Sequence, residues 1–204
     1  MDRKEHWEGV YAQKLPTEVS WYQLRPEKSL ELIRDTGLGR EAAVIDVGGG
    51  ASTLIDCLLA DGYRHLTVLD ISVKALEKAK QRLGRRAQEI AWIEADVTQA
   101  NLPTASYEVW HDRAVFHFLT EPQDRKKYLD VLGQSLKPGG HVIMATFASD
   151  GPPRCSGLNV QRYSVEDLQR ELGDRYRLIR SLAEVHKTPF ETEQKFIYGH
   201  FQKT

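Results

Sequence analysis

The chain has 204 residues, of which 41% are hydrophobic, and this length predicts one domain with a well-buried core. Its 28 Lys and Arg against 29 Asp and Glu leave a formal net charge of −1, which excludes an overall basic field for holding nucleic acid or anionic lipid. The first residues form no apolar signal core, and no segment approaches the roughly 18 apolar residues of a membrane span. We therefore predict a soluble, cytoplasmic protein without a membrane partner.

Cysteine usage bears on compartment and on metal binding. Cys57 and Cys155 lie far apart, and neither has a second Cys or His at ligand spacing. This pattern predicts neither a disulfide framework nor a structural zinc site. We expect ordinary thiols in a reducing compartment and no bound metal.

Apolar runs alternate with helical patterns through most of the chain, which is typical of βαβ units around a parallel sheet. Residues 137–140, Lys-Pro-Gly-Gly, predict a turn between a helix and the fifth strand. The last two β-rich runs are close enough to pair antiparallel. In chain order we predict helices over 3–14 and 26–36, strand 42–47, helix 52–60, strand 65–70, helix 72–83, strands 90–95 and 107–111, helix 124–136, strand 141–147, a helix from 164, and strands near 176–186 and 194–202.

A glycine-rich stretch follows the first strand, at residues 46–52, where an α/β sheet binds ligands. Gly48 and Gly50 allow a ligand to approach the backbone, but Thr53 stands where a dinucleotide fingerprint needs its last glycine. The pattern therefore disfavours a pyrophosphate site. Asp46, two positions before the first glycine, would repel a phosphate and suits a ligand with a cationic group.

Two further carboxylates follow the next two strands. Asp70 ends the second strand and is placed to accept hydrogen bonds from both hydroxyls of a ribose. Asp96 follows the third strand and is placed to accept from an exocyclic amine, with Ile71 and Val97 flanking an adenine-sized ring. The alternatives are a helix cap for Asp70 and a turn residue for Asp96. Acids at three successive strand ends favour a nucleoside without phosphates.

The order of these motifs resembles the class I S-adenosylmethionine-dependent methyltransferases over about residues 40–150. Residues 44–50 are similar to the glycine-rich first motif of that family, 69–72 to its ribose motif, 95–97 to its adenine motif, and 136–140 to the turn before its fifth strand. The resemblance implies S-adenosylmethionine as cofactor and a Rossmann-like α/β fold, with a seven-stranded, mostly parallel sheet, an antiparallel last strand and helices on both faces. Ser52 departs from the family by standing at the place of the third glycine.

The N-terminal region carries a second, shorter resemblance. His6-Trp7-x-x-x-Tyr11, followed by Trp21-Tyr22, is similar to segments in the methyltransferase-like branch, which contains protein-lysine methyltransferases. This implies that Trp21 covers the cofactor, whereas the residues alone equally allow Trp7 and Tyr11 to pack on the core. We predict a single domain over 1–204, with an N-terminal lid and helix over 1–36, a cofactor-binding core over 40–150, and an acceptor-side loop, helix and hairpin over 151–204.

The end of the fourth strand carries the candidate catalytic residues. His111 is a candidate general base and cofactor contact, because an imidazole accepts a proton near neutral pH. Arg113 is a candidate for binding a substrate carboxylate or for fixing Asp112. The alternatives are a His111 hydrogen bond to the backbone and a local Asp112–Arg113 ion pair. Later in the chain, residues 154–155 and 186–194 are expected either to line the acceptor pocket or to form a polar surface hairpin.

These features predict methyl transfer in line to a nucleophilic N, S or O atom, a reaction that needs alignment more than acid–base chemistry. The acceptor is predicted to be a small metabolite or a protein lysine, and the sequence does not decide between them. The lack of a basic stripe argues against nucleic acid. Two other classes remain open: a non-catalytic S-adenosylmethionine-binding module and an NAD(P)-dependent oxidoreductase.

Overall fold

The computed structural model describes residues 2–204 and contains a seven-stranded sheet, whose strands we label β1 to β7 in chain order. Their spatial order is β3-β2-β1-β4-β5-β7-β6. Strands β1 to β5 are parallel, and β7 runs antiparallel to both of its neighbours. This arrangement confirms the predicted Rossmann-like α/β class with an antiparallel last strand. The strands are β1 (Ala43–Val47), β2 (His65–Asp70), β3 (Ile90–Glu94), β4 (Tyr107–Arg113), β5 (Leu136–Phe147), β6 (Tyr176–Lys187) and β7 (Glu193–Lys203).

Helices flank the sheet, and capping side chains and glycines determine where they begin and end. The Ser72 hydroxyl accepts from Ala75 N before α4, and Gly84, with φ +57°, ends that helix. Within residues 2–204, no helix has the length and apolar character that crossing a membrane requires. The helices are α1 (Arg3–Gln13), α2 (Glu27–Asp35), α3 (Leu54–Ala60), α4 (Val73–Leu83), α5 (Pro122–Ser135) and α6 (Val165–Leu172), with 3₁₀ turns at Pro16–Glu18, Gly84–Glu89 and Phe116–Phe118 and a short ladder of Arg154–Cys155 with Leu158–Asn159.

The central strands are buried on both faces, as a parallel sheet covered by helices requires. Val44 belongs to the core cluster that contains Leu58 of α3, and its neighbour Ile45 belongs to the cluster that contains Tyr128 of α5. Successive strand residues point to opposite faces, so the sheet separates two hydrophobic layers. Packing between these two layers holds the strands in place, and their carboxyl ends form the candidate site.

The Lys-Pro-Gly-Gly segment differs from its prediction as a turn. Residues 137–140 belong to β5, and the pairing with β4 jumps from Tyr107–Leu136 to Val109–His141. The intervening residues form an irregular bulge, which Gly139 accommodates with φ +74°. The chain thus enters β5 without leaving the sheet.

Candidate active site

The carboxyl ends of the parallel strands open into a cleft with an empty volume of about 790 Å³, its open mouth included. Parallel strands end at one edge of a sheet, so residues that are distant in sequence line this cleft together. Asp96 follows β3, Asp70 ends β2, Gly48 follows β1 and Arg113 ends β4. The sheet order places the two acids on one side of β1 and the arginine on the other.

The glycine turn after β1 lies at the floor of the cleft. Gly48 has φ +67° and Gly50 has φ +29°, conformations that favour glycine. Gly48 N donates to Leu69 O at 2.7 Å, which ties the turn to the end of β2. A Cβ atom on Gly48 would collide with the Val115 side chain, and one on Gly50 would lie 2.5 Å from Asp70 Oδ2. The turn therefore admits no larger side chain at either position.

Asp70 is 5% exposed and lies beside Ile71 on the cleft wall. Its Oδ1 accepts from Ser72 N at 2.8 Å, while Oδ2 faces the glycine turn. Burial raises the pKa of Asp70 to about 7, and the negative charges of Asp46 and Glu8 add to this effect. Asp70 therefore changes charge near neutral pH.

Asp96 and Val97 line the same wall one strand further along. Asp96 Oδ1 accepts from Thr98 N at 2.8 Å and from Thr98 Oγ1 at 2.7 Å, and its Oδ2 lies 3.4 Å from Arg3 Nη1. The alternative turn role thus occupies one oxygen of Asp96. The alternative cap role of Asp70 is wrong, because Ser72 is the N-cap of α4, and one oxygen of Asp70 accepts from the Ser72 N–H. The second oxygen of Asp70 faces the glycine turn, and that of Asp96 lies beside Arg3.

A second cavity of about 560 Å³, mouth included, adjoins the cleft and is lined by Asp46, His111, Ser29 and Ser52. Asp46 and His111 are register partners on β1 and β4, and Nδ1 of the ring lies 2.7 Å from Asp46 Oδ1. The other ring nitrogen, Nε2, lies 2.8 Å from Ser29 Oγ. His111 therefore bonds two side chains and not the backbone. Ser52 is exposed, and its Oγ accepts from Leu54 N at 3.1 Å.

Arg113 connects β4 with the N-terminal segment and with the far edge of the sheet. Its Nε donates to Tyr198 Oη at 2.9 Å, and its Nη1 donates to Trp21 O at 3.1 Å. Its Nη2 lies 3.5 Å from Glu184 Oε2, and the guanidinium lies 4.3 Å from the centre of the Phe196 ring. These contacts hold the arginine rigidly between the two cavities.

The alternative of an Asp112–Arg113 ion pair is wrong. Asp112 is fully buried on the opposite face, where it accepts from Tyr128 Oη at 2.6 Å, Val115 N at 2.9 Å and Phe116 N at 3.1 Å. Burial raises the pKa of Asp112 to about 6. Successive strand residues point to opposite faces, so Asp112 cannot share the surroundings of Arg113.

Four aromatic rings line the cleft, and we call them the aromatic cluster: Trp7, Tyr11, Trp21 and Phe118. Ring centroids lie 5.0 Å apart for Trp7 and Phe118, 5.8 Å for Trp7 and Trp21, and 6.3 Å for Tyr11 and Trp21. These edge-to-face contacts are a favourable arrangement for aromatic pairs. The rings thus pack against one another and at the same time line the cleft.

The C-terminal hairpin holds the segment that carries Trp21. His186 Nε2 donates to Ser20 O at 2.8 Å, and Gln194 Nε2 lies 3.2 Å from Ser20 Oγ. Gln23 Nε2 donates to Glu184 Oε1 at 3.0 Å. Of residues 186–194, His186, Thr188 and Gln194 are buried and the other six are exposed, so the segment is a surface hairpin whose ends support Ser20, and it lines neither cavity. Burial, together with the nearby positive charge of an arginine, lowers the pKa of His186.

Several functional contacts involve residues that the sequence did not single out, namely Glu8, Ser29, Glu184 and Tyr198. The Glu8 carboxylate accepts from Val73 N at 2.7 Å and from Ser72 Oγ at 3.2 Å, so α1 caps the start of α4. A single glutamate among the polar residues of α1 carries no sequence signal for such a contact. Cys155 lines the cleft, which is one of the two alternatives expected for residues 154–155. Burial raises the pKa of its thiol to about 11.

The sequence is similar to known methyltransferases. A family model described as a methyltransferase domain matches residues 44–140. The eEF1A lysine and N-terminal methyltransferase of Mus musculus is 24% identical over 150 residues, which are 71% of this chain and 21% of that protein. An uncharacterized methyltransferase of Mycobacterium bovis is 31% identical over 106 residues, covering 52% of this chain and 51% of that protein. The chain therefore spans about a fifth to a half of the length of these relatives.

Solved structures share the fold over nearly the whole chain. A protein from a study of the conversion of a disulfide bond into a thioacetal group during echinomycin biosynthesis gives a TM-score of 0.78 at 16% identity, covering 99% of this chain and 92% of that one. The N-methyltransferase NodS from Bradyrhizobium japonicum, in complex with S-adenosylhomocysteine, gives 0.71 at 17% identity and covers 99% of each chain. Residues 44–140 therefore belong to the methyltransferase-domain family, and the solved structures show that the chain shares its fold with S-adenosylmethionine-dependent methyltransferases.

Proposed function

We propose that this protein transfers the methyl group of S-adenosylmethionine to a nucleophilic nitrogen, sulfur or oxygen atom of a small molecule. The observation that carries the proposal is the order of groups along one cleft. Asp96, Asp70, the glycine turn at Gly48 and Arg113 follow one another across β3, β2, β1 and β4. This order matches the adenine, ribose and amino-acid parts of an adenosyl amino acid.

The side chains fit that cofactor in chemical terms. Asp70 offers a carboxylate oxygen for the ribose hydroxyls, and Asp96 offers one for the adenine amine between Ile71 and Val97. Asp46 Oδ2 is buried and accepts no hydrogen bond from residues 2–204, which suits a cationic α-ammonium group. We therefore keep these residues, with Gly48, Gly50, Ser52, His111 and Trp21, as the proposed cofactor site.

S-adenosylmethionine supplies a methyl group that its sulfonium already activates. The residues of this chain then have to hold the cofactor, align the acceptor and exclude water. Trp21 and Phe118 line the cleft, and Arg113 fixes the backbone of Trp21. The predicted base role of His111 would need a free ring nitrogen, whereas both of its nitrogens are hydrogen-bonded inside the protein.

The β4 end of the cleft favours an uncharged acceptor on an apolar body. Trp21, Phe118 and Val115 line this end, and Glu184 Oε2 lies 3.5 Å from Arg113 Nη2, which has no hydrogen-bond partner among residues 2–204. An acceptor carboxylate at Arg113, as the sequence suggests, would compete with Glu184. The carboxylates that line the cleft lie at the opposite end, after β2 and β3, away from an acceptor. Burying the charged ammonium group of a lysine at this end would therefore cost more free energy than burying a neutral amine, thiol or hydroxyl.

A protein lysine is the second candidate acceptor. The observation in its favour is the similarity, over 71% of this chain, to eEF1A lysine and N-terminal methyltransferases. That similarity covers only 21% of the relative, so we rank this acceptor below a small molecule.

The test is a transfer assay with S-adenosylmethionine carrying a labelled methyl group. Panels of small thiols, amines and hydroxy compounds are compared with lysine peptides, using Gly48→Val as the inactive control. Label in a small acceptor supports the first proposal, and label only in peptides supports the second. Cofactor binding without turnover on any acceptor would indicate a non-catalytic binding module, and NADH binding without adenosyl-ligand binding would indicate an oxidoreductase.

A further inference from the structure

A buried chain of three side chains joins α2, β4 and β1. Ser29 is 0% exposed, His111 is 2% exposed and Asp46 is 2% exposed. Ser29 Oγ lies 2.8 Å from His111 Nε2, and Nδ1 of the same ring lies 2.7 Å from Asp46 Oδ1. The chain ends at Asp46 Oδ2, which is buried and has no hydrogen-bond partner among residues 2–204.

We infer that Ser29 and His111 are positioning residues that hold Asp46 so that its free oxygen receives the α-ammonium group of the cofactor's amino-acid part. This inference rests on the proposed function. It assigns a role to Ser29, which no sequence motif marks, and it has His111 act through Asp46 and not on the acceptor.

The direction of the hydrogen bonds follows from the chemistry of the groups. A carboxylate only accepts, so His111 Nδ1 carries the proton toward Asp46. In the neutral ring, Nε2 then accepts from the Ser29 hydroxyl. Asp46 thereby sets the tautomer of His111, and Ser29 fixes the orientation of the ring from its other nitrogen, in the way that outer hydrogen bonds orient metal-binding histidines. Without Ser29, the ring and the carboxylate lose a fixed orientation.

The need for this support follows from the position of Asp46. Among residues 2–204, Asp46 is the one carboxylate that lines the second cavity. Arg113 lines the same cavity, but it is paired with Glu184. A carboxylate oxygen left unpaired inside a protein is costly. An arriving ammonium group removes that cost, and the affinity gained depends on Asp46 being already in place.

Serine hydrolases also contain Ser, His and Asp side chains hydrogen-bonded in this order, and there the serine attacks a substrate. Ser29 lies in the N-terminal half of α2, and its Oγ is engaged with His111 Nε2. The free end of the chain is the carboxylate and not the hydroxyl. The arrangement is therefore suited to holding a cation and not to nucleophilic attack.

The test compares S-adenosylhomocysteine with 5′-methylthioadenosine, which shares the adenosine and the thioether but has no α-amino acid. Binding of both ligands is measured by calorimetry for the wild type, Ser29→Ala and His111→Asn. Ser135→Ala is the matched control, because Ser135 is equally buried but lies on α5 and donates to Val131 O.

We expect Ser29→Ala and His111→Asn to weaken S-adenosylhomocysteine binding about tenfold, the effect of one lost hydrogen bond to a charged group. Binding of 5′-methylthioadenosine should change by less than about twofold in both variants. The control should leave both affinities unchanged. Retained 5′-methylthioadenosine binding also shows that a variant is folded, and His111→Asn gives an independent answer if Ser29→Ala does not fold.

If the affinities for both ligands fall equally, or if neither affinity changes, the inference is overturned, because a general structural role would affect the binding of both ligands alike. If the wild type binds neither ligand, the proposed function itself is contradicted, and the inference is lost with it. The two failures are therefore distinguishable.

Discussion

The charge of Asp70 gives a prediction that links cofactor binding to pH. Burial raises the pKa of this carboxyl to about 7 in the free protein, and only the ionised form offers both oxygens as acceptors. About half of the molecules are ionised at pH 7 and about one tenth at pH 6, so the apparent Kd should rise up to about tenfold between pH 8 and pH 6. Calorimetry with S-adenosylhomocysteine at pH 6, 7 and 8 measures this slope.

The same pKa predicts an opposite effect on stability. An unfolded aspartate has a pKa near 3.8, so ionising Asp70 in the folded state costs about 4 kcal/mol once the pH is above 7, and this cost disappears as the pH falls toward 3.8. Asp70→Asn removes the cost. We expect a higher Tm for this variant at pH 8, little change near pH 4, and cofactor binding that is weaker and no longer depends on pH between 6 and 8.

Two results would refute this reasoning. A wild-type Kd that is equal at pH 6 and pH 8 would mean that Asp70 does not titrate in this range or does not contact the ligand. An Asp70→Asn variant with the wild-type slope would assign the pH dependence to another group.

Three further predictions test other parts of the site. Gly48→Val should abolish binding of the adenosyl ligands, because φ is +67° there and the new side chain would meet Val115; calorimetry checks this. Glu8→Ala should lower the free energy of unfolding by about 1 kcal/mol, because it removes the cap on Val73 N. The same variant should be cleaved faster by a protease at residues 15–25 in the presence of cofactor. Burial lowers the pKa of His200 to about 4, below its unfolded value of 6.5, so the contribution of His200 to the free energy of unfolding should fall as the pH drops from 6.5 to 4, opposite in sign to that of Asp70; the difference between the wild type and His200→Asn measures it.

Each of these predictions has a contradicting outcome. Normal ligand affinity in Gly48→Val would place the cofactor elsewhere. Glu8→Ala should differ from Glu5→Ala, an exposed change on the same helix, and equal proteolysis of the two variants would remove the role of the cap. If the free energy of unfolding of His200→Asn varies with pH between 6.5 and 4 just as that of the wild type does, His200 does not contribute to the pH dependence.

The sequence predicted the parts of the site that depend on local pattern. Strand periodicity located β1 to β4, and the position of an acid directly after a parallel strand placed Asp70 and Asp96 on one cleft. These features needed no knowledge of distant contacts. The bulge at residues 137–140 was not predicted, because a Pro-Gly-Gly segment reads as a turn whether or not the chain leaves the sheet.

The partners of the site residues depend on tertiary packing and could not be predicted. His111 meets Ser29 because α2 packs on the face of the sheet that His111 occupies. Arg113 meets Glu184 across β5 and β7, the two strands that lie between β4 and β6 in the sheet. Sequence spacing carries no signal for either pair. The pattern therefore indicated which residues carry chemistry, and the fold determined what each of them contacts.

Calorimetric titration with S-adenosylmethionine and S-adenosylhomocysteine, with NADH as the control, tests the central claim most directly. The account predicts saturable binding of both adenosyl ligands and none of NADH, since the glycine turn lacks the dinucleotide fingerprint and Asp46 would repel a pyrophosphate. Binding of NADH, or no binding of either adenosyl ligand, would contradict it.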